Sequence, residues 1–262
     1  LNQGSMNYIP YKSARPRAKV VVILLWINLF LLLLSIIDSW IEMNIYSEVT
    51  NVIPTEEESF QASLLSGFAD LTSAIVWIVC FIFFLMWVHR IHQNLPLFGV
   101  RNLRSTPGAA VIWYFIPIAN LFKPYQGMKD AWNACSTDYR FDVYEWKERK
   151  GAPLIKWWWA LWLIADSVAS RAALSAWRAE TTSELITSTR LYIFSDLLDL
   201  VVFILMIILV KQLTDRQEQK WQAVLNEQQN DPNQAFLTPH LDLKSEPQFT
   251  IKEIDRSFKW KD

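Results

Sequence analysis

Residues 107–125 read PGAAVIWYFIPIANLFKPY, an apolar segment broken by Pro107, Pro117 and Pro124 and flanked by basic residues. As a helix rising about 1.5 Å per residue, residues 108–122 would extend about 23 Å, short of a hydrocarbon core of roughly 30 Å. Pro117 interrupts even that length, because a proline inside a helix removes a hydrogen bond and clashes with the preceding turn. Non-helical backbone at membrane depth is tolerated only where protein or water satisfies its polar groups. The segment, taken as 107–123, is therefore expected to be re-entrant or interfacial rather than a span.

Working outward, four apolar runs are long enough for a tilted membrane helix of roughly 20 residues: 20–40, 67–88, 154–174 and 191–210. The expected fold is an all-α polytopic bundle of four transmembrane helices with the proline-rich segment between the second and third. Residues 38–66 carry Asp38, Glu42, Glu48, Glu56, Glu57 and Glu58 and no Lys or Arg, which marks the outer side. The arm 1–19 carries Lys12, Arg15, Arg17 and Lys19. The loop 89–153 carries Arg90, Arg101, Arg104, Lys123, Lys129, Arg140, Lys147, Arg149 and Lys150. By the positive-inside bias both face the cytoplasm, and a crossing at 107–123 would reverse every later segment against that bias.

Composition agrees. At 52% hydrophobic and 14% aromatic residues with a formal charge of -1, the chain suits a multi-pass membrane protein and excludes a nucleic-acid binder driven by bulk electrostatics. Residues 1–5 precede Met6 and read as a remnant or an unusual start, outside the fold. The run 20–37 is too long for a signal-peptide core and lacks a small-x-small cleavage site, so it reads as a retained span. Cys80 lies in an apolar run and Cys135 follows the proline segment, so reduced thiols are expected.

After the proline segment, 124–135 places Tyr125, Met128, Ala131, Trp132 and Cys135 on one face and Lys129, Asp130 and Asn133 on the other, the pattern of an interfacial helix. Beyond Val210, Leu213, Trp221, Val224 and Leu225 extend the last span as a cytoplasmic helix ended by Asp231 and Pro232. In the tail 213–262, Ile251, Ile254 and Phe258 recur at helical spacing, as in a short docking helix.

Asn94, Leu95 and Gly99, then Ser105-Thr106-Pro107, then residues 113–121 as WYFIPIANL, then Pro124, Tyr125, Met128 and Trp132 resemble a family of bacterial multi-span membrane proteins catalogued as a domain of unknown function. Its core signature is W-F-I-P-I-x-N-L-x-x-P-Y, with Tyr114 here inserted between the Trp and the Phe. The resemblance is specific over residues 87–132 and implies a membrane fold without implying an activity. It singles out Trp113, Pro117, Asn120, Pro124 and Tyr125 as candidate functional residues, Asn120 to satisfy a freed backbone group or to cap the next helix.

Ionisable residues within the last two runs are Asp166, Arg171, Asp196 and Asp199, and such groups usually face a bundle interior. At about 1.5 Å per residue from the inner ends, Asp166 and Asp199 both lie roughly 18 Å deep, and Arg171 and Asp196 roughly 23 to 26 Å. An Arg171–Asp196 salt bridge is expected, with Asp166 and Asp199 either bonded locally or sharing a proton or cation. His89 and His92 sit three apart at the end of the second run and are the weak cofactor candidates, set against interfacial anchoring. With His240 in the tail, no second helix offers a haem partner. Trp157, Trp158 and Trp159 beside Lys156 form an aromatic belt.

No catalytic glycine, serine or zinc pattern occurs in the sequence. The expected role is a non-enzymatic accessory or scaffold subunit of the bacterial inner membrane or another internal membrane, with both termini cytoplasmic. It is expected to contact lipids and to dock a protein through loop 89–153 and tail 213–262, with no cofactor, metal or nucleic acid. The alternative is a small channel, carrier or proton path using Asp166 and Asp199.

Overall fold

Prolines set the punctuation of this chain. Pro107, Pro117, Pro124 and Pro153 each fall in the first turn of a helix, where a missing N–H costs nothing and the fixed φ suits the helical start. The residue before a proline is driven out of the helical region, and Thr106 (ψ 162°) and Ile116 (ψ 112°) are accordingly extended. The 107–123 segment is thereby cut into pieces too short to cross a bilayer.

The computed structural model describes residues 11–48, 56–98, 100, 102–137 and 149–230. Its helices are α1 (Arg15–Glu48), α2 (Glu56–Asn94), α3 (Pro107–Ile112), α4 (Pro117–Asn120), α5 (Lys123–Ala134), α6 (Pro153–Arg178) and α7 (Thr182–Asn230), with a 3₁₀ turn at Leu95–Phe98. No strand occurs among the described residues. Three helices, α1, α2 and α7, are long and apolar enough to cross a membrane. The 26-residue α6 has the length, but its tryptophans, Asp166 and Arg171 make it less apolar. Each helix runs past the apolar run that announced it, because helical hydrogen bonding continues into polar sequence until a breaker intervenes. The 49 residues of α7 would extend about 74 Å at about 1.5 Å per residue. The expected docking helix at 251–258 and residues 1–5 lie outside the described residues.

The chain divides into two compact units. The first takes the described residues of Leu1–Pro16, Met86–Ala152 and Gln212–Asp262, and the second those of Arg17–Leu85 and Pro153–Lys211. In the second unit α6 and α7 form a helical hairpin whose turn is closed by a capping box. Glu184 Oε2 accepts from the backbone N–H of Glu180 and Thr181, and Thr181 Oγ1 accepts from the N–H of Glu184.

Both helices bury a seam at seven-residue spacing: Trp158, Ala165 and Ala172 on α6, and Ser188, Ser195, Val202 and Leu209 on α7. The seams meet where Ser195 Oγ donates to the carbonyl of Ala165 at 3.2 Å. Two small residues let the backbones approach closely enough for that bond. Phe84 packs against Trp158, which with Trp159 and Trp162 forms an aromatic row.

Candidate functional site

The sequence signature resolves into a helical platform in the first unit. Thr106 caps α3 by accepting from the N–H of Ala109 at 3.1 Å, and Trp113 Nε1 donates to Ser105 Oγ at 3.3 Å. Lys123 Nζ lies 5.5 Å from the Trp113 ring centroid and 5.8 Å from that of Phe122, a cation held over two aromatic faces. Pro124 is buried and Pro117 exposed, while Asn120 and Tyr125 are half-buried. Asn120 does not cap α5, whose N-cap is Phe122 without a side-chain bond. Its Oδ1 is buried without a hydrogen-bond partner among the described residues.

Helix α5 is more deeply built in than an amphipathic surface helix. Met128, Ala131, Ala134 and Cys135 are buried, and so are Asp130 and Asn133 from the face expected to meet water. Arg104 lies 3.7 Å from the Asp130 carboxylate, and Asn133 Nδ2 donates to the carbonyl of Arg149 at 3.1 Å. Polarity in the sequence marked the need for partners, which chain segments on both sides of α5 supply.

At the centre of this unit lies a polar network that the sequence reading did not identify. Gln217 is fully buried. Its Nε2 donates to the carbonyl of Ile91 at 3.0 Å and faces Cys135 Sγ at 4.0 Å, while its Oε1 accepts from Asn94 Nδ2 at 2.9 Å. Asn94 Nδ2 also donates to the carbonyl of Lys12 at 2.9 Å, so the N-terminal arm, α2, α5 and α7 meet at two amide side chains. Nearby, Trp87 is fully buried and donates its Nε1–H to Thr214 Oγ1 at 3.0 Å.

The N-terminal arm is strapped along α7. The Tyr11 ring stacks on Trp221 at 4.6 Å, its hydroxyl donates to Glu218 Oε1 at 2.9 Å, and the Ser13 hydroxyl donates to the same oxygen. Arg15 and Asp215 add an ion pair at 3.6 Å that is exposed and so contributes little. Burial first, and then the bond to Glu218, push the Tyr11 phenol up, so it stays a neutral donor. Arg216 stacks over Trp132 at 4.5 Å.

Burial also pushes the Cys135 thiol up to about 12, against the opposing influence of Gln217, Arg216 and Lys220. A thiol so held is a packing group and not a nucleophile near neutral pH. Cys80 and Cys135 are both free and buried.

His92 does not anchor at an interface. It is buried, with Nδ1 2.9 Å from the carbonyl of Val88 and the ring packed against Gly127, where an added Cβ would sit 3.4 Å from Nε2. His89 is half-buried and lies within electrostatic reach of His92. Among the described residues, no three His, Cys, Asp or Glu side chains group as metal ligands would.

In the second unit the charged residues are arranged differently from expectation. No ion pair joins Arg171 to Asp196. Arg171 is exposed, off the Trp158–Ala165–Ala172 seam, while Asp196 accepts from Ser35 Oγ on α1 at 3.2 Å. The Ala165–Ser195 contact sets the antiparallel register and puts Asp196 level with residue 164, about seven residues or about 10 Å along α6 from Arg171, so the equal depth expected of the two does not hold. Asp199 lies within electrostatic reach of both Asp196 and Asp166.

Residues 51–215 match the model of a family described as "Domain of unknown function (DUF4328)". No curated protein and no solved structure matches the chain.

Proposed function

The chain belongs to the family of the domain of unknown function DUF4328, and from this premise we propose that it is a four-span, non-enzymatic accessory or scaffold protein of a bacterial inner membrane, with both termini cytoplasmic. In this reading α6 is the fourth span. Its aromatic start at Trp157, Trp158 and Trp159 beside Lys156 suits an inner interface, and its heptad seam against α7 suits a bundle. The orientation is supported by the charge asymmetry between 38–66 and 89–153.

The observation that carries the scaffold role is how the first unit uses its polar side chains. Asn94, Gln217, Trp87, Thr214, Tyr11 and Glu218 bond to one another across elements. Such a network stiffens a platform and leaves its outer surface for a partner. Native-detergent purification, followed by mass spectrometry, tests the role. A stoichiometric protein is expected to co-purify with the wild type and to be lost when residues 231–262, beyond the buried part of α7, are deleted. A protein that always emerges alone sinks the scaffold reading. A single accessible thiol introduced by Asp138→Cys is expected to react with an impermeant maleimide only from the cytoplasmic side, and reaction from the other side overturns the orientation.

The placement of Asp199, half-buried within electrostatic reach of Asp166 and Asp196, favours a second reading, a proton or cation path through the bundle. In proteoliposomes, Asp166→Asn and Asp199→Asn are then expected to abolish a proton or monovalent-cation flux that the wild type supports. Equal leak in all three proteins removes this reading.

A further inference from the structure

Along the proline segment the exposed residues form a pattern. Ile112, Phe115, Ile118 and Leu121 follow one another at intervals of three, with 51%, 64%, 76% and 55% of their surface exposed. Ala110 before them and Ala119 among them are buried, and so is Pro124 at the end of the segment. A spacing of three is what one face of tight helical turns presents, and backbone bonds of the three-residue type run through the turn, from Phe115 N–H to the Ile112 carbonyl at 2.9 Å and from Phe122 N–H to the Ala119 carbonyl at 3.2 Å. Ile112 and Ile118 lie in the two proline-started helices and Phe115 and Leu121 in the turns that follow them, and all four are exposed.

No charged residue occurs from Pro107 to Phe122, and a cation stands just outside each end, Arg104 and Lys123. Lys123 is held over Trp113 and Phe122 at the border of the apolar edge. An uncharged apolar edge bordered by Lys and Trp matches the layering of a bilayer, with acyl chains beneath and phosphates at the rim. Lysine stems reach the phosphate level from apolar surroundings, and indole rings favour the same level. The segment is also too short to reach the opposite leaflet.

We propose that Ile112, Phe115, Ile118 and Leu121 form a shallow wedge seated at the acyl-chain boundary of one leaflet, with Trp113 and Lys123 at the headgroup level. The occupant of this edge is lipid. The wedge rests on the topology given above only for which leaflet it enters, the cytoplasmic one. An element of this kind anchors the first unit to the membrane surface independently of the spans and makes its placement sensitive to lipid packing.

The test uses the full chain with Ile118→Cys or Phe115→Cys, both at exposed positions, labelled with an environment-sensitive fluorophore. The native cysteines are buried, and unsubstituted protein serves as the labelling control. The variants are reconstituted in vesicles of phosphatidylethanolamine and phosphatidylglycerol. Lipids brominated near the headgroup are expected to quench both labels several-fold more strongly than aqueous iodide does, and more strongly than lipids brominated near the chain ends. Dominant iodide quenching places the edge in water and overturns the proposal. Strongest quenching by the deep bromines overturns it in favour of a crossing. Disulfide-linked dimers of the unlabelled Ile118→Cys variant under mild oxidation, without lipid quenching of its labelled form, overturn it in favour of a second copy. Reaction of Asp138→Cys from the outer side would refute the orientation alone, because lipid quenching at positions 115 and 118 does not depend on which leaflet is entered.

Discussion

Replacing Trp87 with alanine is expected to destabilise the protein by about 3–5 kcal/mol, the cost typical of removing a fully buried tryptophan from a packed core. Trp87 has no exposed surface, and its indole N–H is bonded to Thr214 Oγ1 at 3.0 Å. Two effects are therefore lost together, the volume of the ring and a bond joining α2 to α7. Trp87→Phe retains part of the volume without the donor, and Thr214→Val retains the ring but orphans its N–H at a cost of about 1–3 kcal/mol. Thermal unfolding in detergent micelles, followed with a thiol-reactive dye, reads all three, because Cys80 and Cys135 are buried until the fold opens. The expected order of stability is wild type, then Thr214→Val and Trp87→Phe, then Trp87→Ala. A neutral Thr214→Val would mean that the hydrogen bond contributes nothing and that Trp87 acts through volume alone.

Gln217→Ala is the second large effect, expected at about 3 kcal/mol or more from a new cavity combined with amide partners left unsatisfied. Gln217 is buried where the carbonyl of Ile91, the amide of Asn94 and the thiol of Cys135 converge. Its loss deprives Asn94 Nδ2 of one acceptor and leaves only the Lys12 carbonyl, which should loosen the N-terminal arm. Gln217→Leu separates the contributions, since it restores volume without restoring the bonds. Leucine at this position is expected to recover only part of the stability and none of the arm's protection from proteolysis near Lys12. If leucine matches the wild type in both measurements, the network is incidental to the fold.

Much of the membrane architecture was legible because its signals are one-dimensional. Apolar runs revealed α1, α2 and α7, since hydrocarbon rewards a sustained stretch whatever its neighbours. The prolines at 107, 117, 124 and 153 marked helix starts because the ring acts on its own and the preceding residue. Helix α6 was also visible, although its tryptophans and the charges of Lys156, Asp166, Arg171 and Arg178 make its apolar signal weaker than that of the other three.

The candidate site was less legible. Trp113, Pro117, Pro124 and Tyr125 were found through a resemblance, whereas Asn94 and Gln217 were not recognised for their role. Gln217 sits in a stretch rich in Gln, Glu and Lys that reads as a solvated helix. One signal was available: Leu209, Leu213, Gln217, Lys220 and Val224 continue a buried seam at three- and four-residue steps, with Gln217 at a position where an apolar residue would ordinarily stand. Asp130 and Asn133 misled in the opposite direction, because their polarity read as exposure while Arg104 and the Arg149 carbonyl lie alongside them.

The sequence by itself determined that this chain carries membrane-length apolar helices interrupted by a proline segment too short to cross, because chain length, hydropathy and proline stereochemistry act locally. Only the tertiary structure decided that Arg171 and Asp196 stand apart, that Gln217 and Asn94 together join four parts of the chain, and that Ile112, Phe115, Ile118 and Leu121 are each exposed. Those outcomes depend on the axial register and rotation of each helix and on partners distant in sequence, which packing fixes and residue order does not display.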